Sequence, residues 1–209
     1  MTRILLVRHG ESEWNATGRW QGQADPPLTE LGRRQAKAAA SALGPIGTIA
    51  ASDLQRARDT AQIIADELGL ESVAIDPGLR ERDAGAWSGL TRADIHRHWP
   101  GYLPDDPARR PRAAQAIRRP PGWEADEALL ARGLAALGRL AARVGEGDAL
   151  VVTHGGLVYA IESHLGEAWS RLPNLGGRWV TVDDERLVLG DRLVLVDPHD
   201  VTVTVPTDI

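Results

Sequence analysis

Two apolar runs constrain this chain more than anything else in it, because each stops at a histidine followed by glycine. Ile4, Leu5, Leu6 and Val7 form an unbroken apolar stretch, the pattern of a strand buried on both faces, and it ends in Arg8-His9-Gly10. Ala149 to Thr153 repeats the event and ends in His154-Gly155-Gly156. If the two strands are parallel, both histidines reach the same edge of a sheet. That carboxyl edge is where open α/β sheets bind ligands. Gly10 lets the backbone come close to whatever sits there.

The segments between them alternate in character. A loop over 16–28 is broken by Pro26-Pro27, and Thr29 then caps a helix to about Leu43, with Glu30 suited to its first turn. Leu31, Ala38, Ala39 and Ala42 give that helix an apolar side, and Gly44-Pro45 ends it. Ile46 to Ala51 reads as a short strand. Ser52, with Gln55 three residues on, has the form of a capping box opening the next helix. Leu54, Ala57, Ala61, Ile64 and Leu68 fall at helical spacing, and Gly69 is the expected stop. Val73 to Ile75 predicts another short strand, 79–89 a loop, and 125–144 a long helix with Leu129, Leu130, Leu134, Leu137 and Leu140 inward. A short apolar helix follows His154. The tail alternates over 179–182, 186–189, 193–196 and 201–205, as antiparallel edge strands do.

This order predicts an α/β fold, a three-layer α/β/α sandwich with a mostly parallel central sheet. A length of 209 residues suits a single domain over 1–209 with a sizeable core. Within it, 91–123 carries six prolines and seven arginines against three acids, Asp94, Asp105 and Asp106. It reads as a cap or lid excursion rather than a second domain.

Composition closes off several classes of function. No cysteine is present, so disulfide and thiolate chemistry are excluded, and a reducing, cytoplasmic setting is the expectation. Met1 to Arg3 leads straight into the first strand, where a signal peptide would need room. No apolar run approaches the ~20 residues that span a bilayer, so no membrane partner is expected. A net charge of −5 argues against nucleic acid. His, Asp and Glu spacing suggests no metal site, and no cofactor is expected.

Arg8 adjoins His9, and Arg56 falls in the first turn of the helix after the second strand, at the same edge. Two arginines, two imidazoles, Asn15 and a helix N-terminus would then share one place. Such a cluster suits a phosphoryl group, whose oxygens guanidiniums bind bidentately and helix-start N–H groups support. Phosphoryl transfer is mostly positioning and electrostatic stabilisation, so cationic side chains can serve without a metal. One histidine could act as nucleophile and the other stabilise charge.

Five ordered motifs carry a resemblance: RHGESEWN at 8–15, PLTELGRRQA at 27–36, SDLQRARDTA at 52–61, LRERDAGAWSG at 79–89 and VVTHGGL at 151–157. Together they resemble the histidine phosphatase superfamily, in its phosphoglycerate mutase-like branch. The resemblance implies that His9 is the nucleophile that becomes phosphohistidine, and that Arg8, Arg56 and His154 bind the phosphoryl oxygens with Asn15 assisting. It implies Glu81 as the acid that protonates the leaving alkoxide and then activates water, with Asp83 the alternative carboxylate. Gln21, Gly22 and Gly155 join the expected phosphate-binding set. Trp20-Gln21-Gly22-Gln23 and the turn at 172–177, LPNLGG, are similar to bacterial glucosyl-3-phosphoglycerate phosphatases.

Departures from the family pattern fall at Trp123-Glu124, where many members have Gly-Glu, and at Arg178, near a usual asparagine. Both are expected at the substrate rim. Glu11 and Glu13 are expected to pair with nearby arginines. His96, His98, His164 and His199 lie outside any motif. The reading is therefore a phosphomonoesterase acting on a small soluble phosphorylated metabolite. A cofactor-dependent mutase and a non-catalytic phospho-ligand module are the alternatives, and a homodimer is left open.

Overall fold

The computed structural model describes residues 1–104, 118–183 and 186–197. Among these residues six strands form one sheet: β1 (Thr2–Arg8), β2 (Thr48–Ala51), β3 (Val73–Ile75), β4 (Gly147–Thr153), β5 (Gly176–Asp183) and β6 (Arg186–Val194). Their order is β3-β2-β4-β1-β5-β6. The first four are mutually parallel, and β5 and β6 are antiparallel additions at one edge. The expected mostly parallel sheet is therefore present. The alternating stretch at 193–196 is not a strand of its own, since its first two residues complete β6. The one expected at 201–205 lies outside the described residues.

Among the described residues six α-helices accompany the sheet: α1 (Glu13–Ala16), α2 (Glu30–Ala42), α3 (Gln55–Leu68), α4 (Arg92–His98), α5 (Asp126–Val144) and α6 (Gly155–His164). Alternation along the strands sends Leu5 and Val7 to one face, against Ala36 and Ala39 of α2 and Ala57, Ala61 and Ile64 of α3. Ile4 and Leu6 point to the other, against Leu129 and Leu137 of α5 and Leu157 and Ile161 of α6. Helix, sheet and helix make the three layers.

Thr29 caps α2 as expected, its hydroxyl accepting from the Gly32 N–H at 3.0 Å. The buried face of α2 differs from the expected one: Gly32, Gln35, Ala36, Ala39 and Ala40 are inside, while Ala38 and Ala42 are exposed. The reason is a close approach. A Cβ on Gly32 would lie 2.1 Å from the Glu11 carbonyl oxygen, so α2 lies directly on the loop after His9. The Gln35 side-chain oxygen accepts from the Glu11 N–H at 2.9 Å, which turns that face of the helix inward. The start of α3 differs too. Ser52 makes no capping box with Gln55; its hydroxyl accepts from the Leu54 N–H at 3.2 Å. The cap residue is Leu54, and the first helical N–H, on Gln55, donates 2.6 Å to an Asp25 carboxylate oxygen from a distant loop.

The excursion beginning at Thr91 is anchored at both described ends on one aromatic cluster. Trp20, Ala84, Trp87, Ile95 and Leu103 are its buried members, with Leu90, Trp99, Tyr102 and Trp123 packed against them. Residues 105–117 of the expected cap, with Asp105 and Asp106, lie outside the described residues, as does His199.

Candidate active site

Register brings the two histidines together. Arg8 pairs with Thr153 in neighbouring parallel strands. The next residues, His9 and His154, therefore leave the sheet side by side, and the His9 N–H donates to the Thr153 carbonyl at 3.0 Å. Their rings sit edge to face with centroids 5.2 Å apart. β2 ends level with them, its Ala51 opposite Val152, and delivers α3 with Arg56 in its first turn.

The tautomer of His9 follows from its partners. Its Nδ1 lies 2.6 Å from the Gly10 carbonyl oxygen, which only accepts, so Nδ1 carries the proton. Its Nε2 receives the Arg56 Nε–H at 3.2 Å, and a guanidinium only donates, so Nε2 carries the lone pair. The expected tautomer-fixing bond near Gly10 is thus found, and a nucleophilic nitrogen faces a cation. Burial first, then the charges of Arg56 and Arg8, hold the His9 imidazole well below its ordinary pKa, against the pull of the Gly10 carbonyl. These surroundings favour the neutral imidazole.

Arg56 is fully buried, and its other donors are fixed by the loop before it. Its two terminal nitrogens reach the Ala24 carbonyl at 2.8 Å and the Gly22 carbonyl at 2.9 Å. Three of five N–H groups are so used, and two remain for an anion. Burial lowers its pKa to about 10, with the nearby carboxylates of Glu81 and Asp25 opposing, so it stays charged at neutral pH. Arg8 donates to the Leu172 carbonyl at 2.8 Å, and burial lowers its pKa as well.

His154 is fully buried, and neither of its ring nitrogens has a hydrogen-bond partner. Burial, Arg56 and His9 are the main causes holding its pKa well below the ordinary value. Two unsatisfied ring nitrogens beside two guanidiniums are costly unless an oxygen-bearing ligand meets them. Gly155 opens α6 directly after His154, at the same edge.

Ser12 and Asn15 form the capping box of α1, and this holds the Asn15 side chain in the cluster, buried. The Gln21 side-chain oxygen accepts from the Ser12 hydroxyl at 2.9 Å, and the Gly22 carbonyl serves Arg56. The structure thus brings His9, Arg8, Arg56, His154, Asn15, Gln21 and Gly22 to one edge.

Glu81 arrives by a different route. The chain leaves β3 through a 3-10 turn at Pro77–Leu79, and the Thr153 hydroxyl ties that turn to β4 by donating 2.8 Å to the Leu79 carbonyl. The Glu81 carboxylate accepts from the Gly156 N–H at 3.1 Å and from the Arg82 N–H at 2.7 Å, which sets it two residues from His154. A Cβ at Gly156 would stand 2.1 Å from that carboxylate, so glycine leaves room for the carboxylate in this position. Asp83 is exposed, and its carboxylate accepts the Gly85 N–H at 2.8 Å in a local turn.

Two residues missed by the motif reading belong to the same constellation. The Asn174 amide donates 2.8 Å to the His9 carbonyl and lies 3.3 Å from the Asn15 side-chain oxygen. Its signal was the small-residue turn containing it. Gln23 donates 3.2 Å to the Glu81 carbonyl. The residues at which the sequence departs from the family pattern have internal partners. Trp123 packs in the aromatic cluster, Glu124 pairs with Arg132 at 2.7 Å, and Arg178 pairs with Glu167 at 2.7 Å. Glu11 takes the Thr29 hydroxyl at 2.8 Å, and neither it nor Glu13 has an ion pair among the described residues. Glu11 is buried, and its carboxylate is engaged by the Thr29 hydroxyl.

Among the described residues no helix is long and apolar enough to cross a membrane, and no group of three His, Asp or Glu side chains is arranged to hold a metal. Residues 4–184 match the family described as histidine phosphatase superfamily (branch 1). The chain is 38% identical over 187 residues to a glucosyl-3-phosphoglycerate phosphatase of Mycobacterium tuberculosis, covering 84% of this chain and 80% of that one. It is 35% identical over 202 residues to a metal-independent phosphoserine phosphatase of Arabidopsis thaliana, covering 90% of this chain and 80% of that one. Among solved structures, the mycobacterial glucosyl-3-phosphoglycerate phosphatase complexed with VO3 aligns with a TM-score of 0.75 at 32% identity, over 90% of this chain and 96% of that one.

Proposed function

The chain belongs to the histidine phosphatase superfamily, and we propose that it is a phosphomonoesterase that hydrolyses a small phosphorylated metabolite through a phosphohistidine on His9. The observation that carries this reading is the pinned tautomer of His9, its Nε2 lone pair facing buried Arg56, beside half-buried Arg8 and the unpartnered ring nitrogens of His154. The names of its relatives, phosphatases for glucosyl-3-phosphoglycerate and phosphoserine, support the substrate class.

In this reading the phosphoryl oxygens take the free N–H groups of Arg56, those of Arg8, the His154 ring and the Asn15 amide. The His9 Nε2 lone pair attacks phosphorus, the ester P–O bond breaks, and its electron pair leaves as alkoxide, which receives the proton of Glu81. Water then attacks phosphorus, giving its proton to Glu81. The N–P bond breaks, the pair returns to Nε2, and inorganic phosphate leaves. The cations supply the charge stabilisation that a metal gives elsewhere. The enzyme is taken as cytoplasmic, with 91–123 an excursion within its single domain.

A panel of phosphomonoesters, run with and without EDTA and with 2,3-bisphosphoglycerate as a separate reactant, tests this. Hydrolysis of a sugar-, glycerate- or serine-type phosphate, unchanged by EDTA, is expected. Phosphate exchange with the bisphosphate without net hydrolysis would replace the phosphatase with a mutase. Tight anion binding without turnover would replace it with a binding module.

A further inference from the structure

The Arg132 guanidinium spends all five of its N–H groups. Its Nε and one terminal N–H hold the two Glu124 carboxylate oxygens at 2.7 and 2.8 Å. The other three reach the carbonyls of Gly78 at 3.0 Å, Arg80 at 2.6 Å and Glu81 at 2.8 Å. Glu124 in turn accepts the Asp83 N–H at 3.1 Å, and its backbone N–H donates to the Asp83 carbonyl at 3.0 Å. The backbone is therefore gripped on both sides of Glu81 by one ion pair. Burial pushes the Glu124 carboxyl up, but the bonds from Arg132 and Asp83 and the charge of Arg82 outweigh it and leave it below its ordinary value.

Among the described residues the Glu81 carboxylate accepts hydrogen bonds only from backbone N–H groups, those of Arg82 and Gly156. Its place is thus set by where the backbone of 81–82 lies relative to α6. We propose that Arg132 and Glu124 are positioning residues that hold this backbone so that the Glu81 carboxyl meets the leaving-group oxygen. Lysine cannot replace Arg132, because a single ammonium cannot make a planar five-bond fork. The proposal rests on the reading of Glu81 as the acid of the phosphatase.

Leaving-group release is the first irreversible step, so kcat/KM reports the phosphorylation half-reaction alone. Arg132→Lys is compared with wild type on the best alkyl phosphate of the panel and on p-nitrophenyl phosphate. Displacing a reacting group slightly costs about 10²-fold where its position matters. The alkyl ester should lose about 10- to 100-fold in kcat/KM, and the aryl ester, whose phenolate leaves with little protonation, less than about 3-fold. Competitive inhibition by vanadate should stay unchanged. In a Glu81→Gln background Arg132→Lys should cause no further loss on the alkyl ester, because the group it positions is already gone. Glu124→Gln, which keeps shape and drops charge, should show the same selectivity if Arg132→Lys folds poorly. Equal loss on both esters, or additive loss with Glu81→Gln, would overturn the positioning role while leaving the phosphatase standing. A wild type inert toward every phosphomonoester would overturn the functional reading and this proposal with it.

Discussion

Glu81 and Asp83 stand two residues apart, and their surroundings separate them as candidates for the acid. Glu81 is buried against the start of α6, whereas Asp83 is exposed and occupied by the Gly85 N–H. Glu81→Gln should slow alkyl phosphates by ~10²–10⁴-fold while sparing phosphorylation by p-nitrophenyl phosphate, and Asp83→Asn should leave both near wild type. Stopped-flow bursts of nitrophenolate read the difference, and the opposite pattern would move the acid to Asp83. Gly156 gives a gentler probe of the same point. In Gly156→Ala the new Cβ must displace the Glu81 carboxylate, the mobile partner of that 2.1 Å contact, so alkyl-ester kcat/KM should fall about 10-fold or more. The displaced atom is the far end of a flexible side chain, so thermal stability should hold. A variant with wild-type kcat/KM would mean that the carboxylate position is irrelevant.

At the scale of elements, the strand ends were legible because an apolar run that stops at a charged residue and glycine has few other readings. Thr29 before Glu30 marked α2, and the leucines of α5 marked its inner side. The start of α3 was not legible, because its first N–H is satisfied by Asp25, 30 residues away in sequence. No local pattern holds that pairing. Asn174 and Arg132 were missed for a related reason: each acts on backbone carbonyls brought near only by the fold, and a helix arginine or a turn asparagine looks ordinary in isolation. Glu124 was noticed, but as a rim residue. The Asp25 contact carries its own test. Asp25 is exposed, so Asp25→Ala should cost only about 0.5–1 kcal/mol in urea unfolding, the low range for a lost cap. It should also weaken inhibition by inorganic phosphate, since Arg56 sits in the turn it caps and is held less firmly once that cap is lost. Unchanged phosphate inhibition would separate the cap from the site.

On the scale of the whole molecule, the sheet order places β4 between β2 and β1, so three parallel strands end side by side and gather Arg8, His9, Arg56 and His154 at one edge. A chain of net charge −5 thereby concentrates positive charge where a phosphate would arrive. Burying two neutral imidazoles makes stability depend on pH. Both folded values are lowered, so the unfolded chain binds more protons once pH falls below the ordinary 6.5. Their contribution is whole above that value and is lost as pH falls toward the folded values. Urea midpoints should drop between pH 7 and pH 5, and His154→Asn should flatten that slope; an equal slope in the variant would contradict it. The central claim, that His9 carries the phosphoryl group, is met most directly by trapping it. Enzyme mixed with p-nitrophenyl phosphate and quenched in alkali should carry an acid-labile, base-stable phosphate on His9 by peptide mass spectrometry, with Glu81→Gln accumulating more of it and His9→Ala carrying none and turning nothing over. Phosphate on another residue, or steady turnover by His9→Ala, would contradict the account.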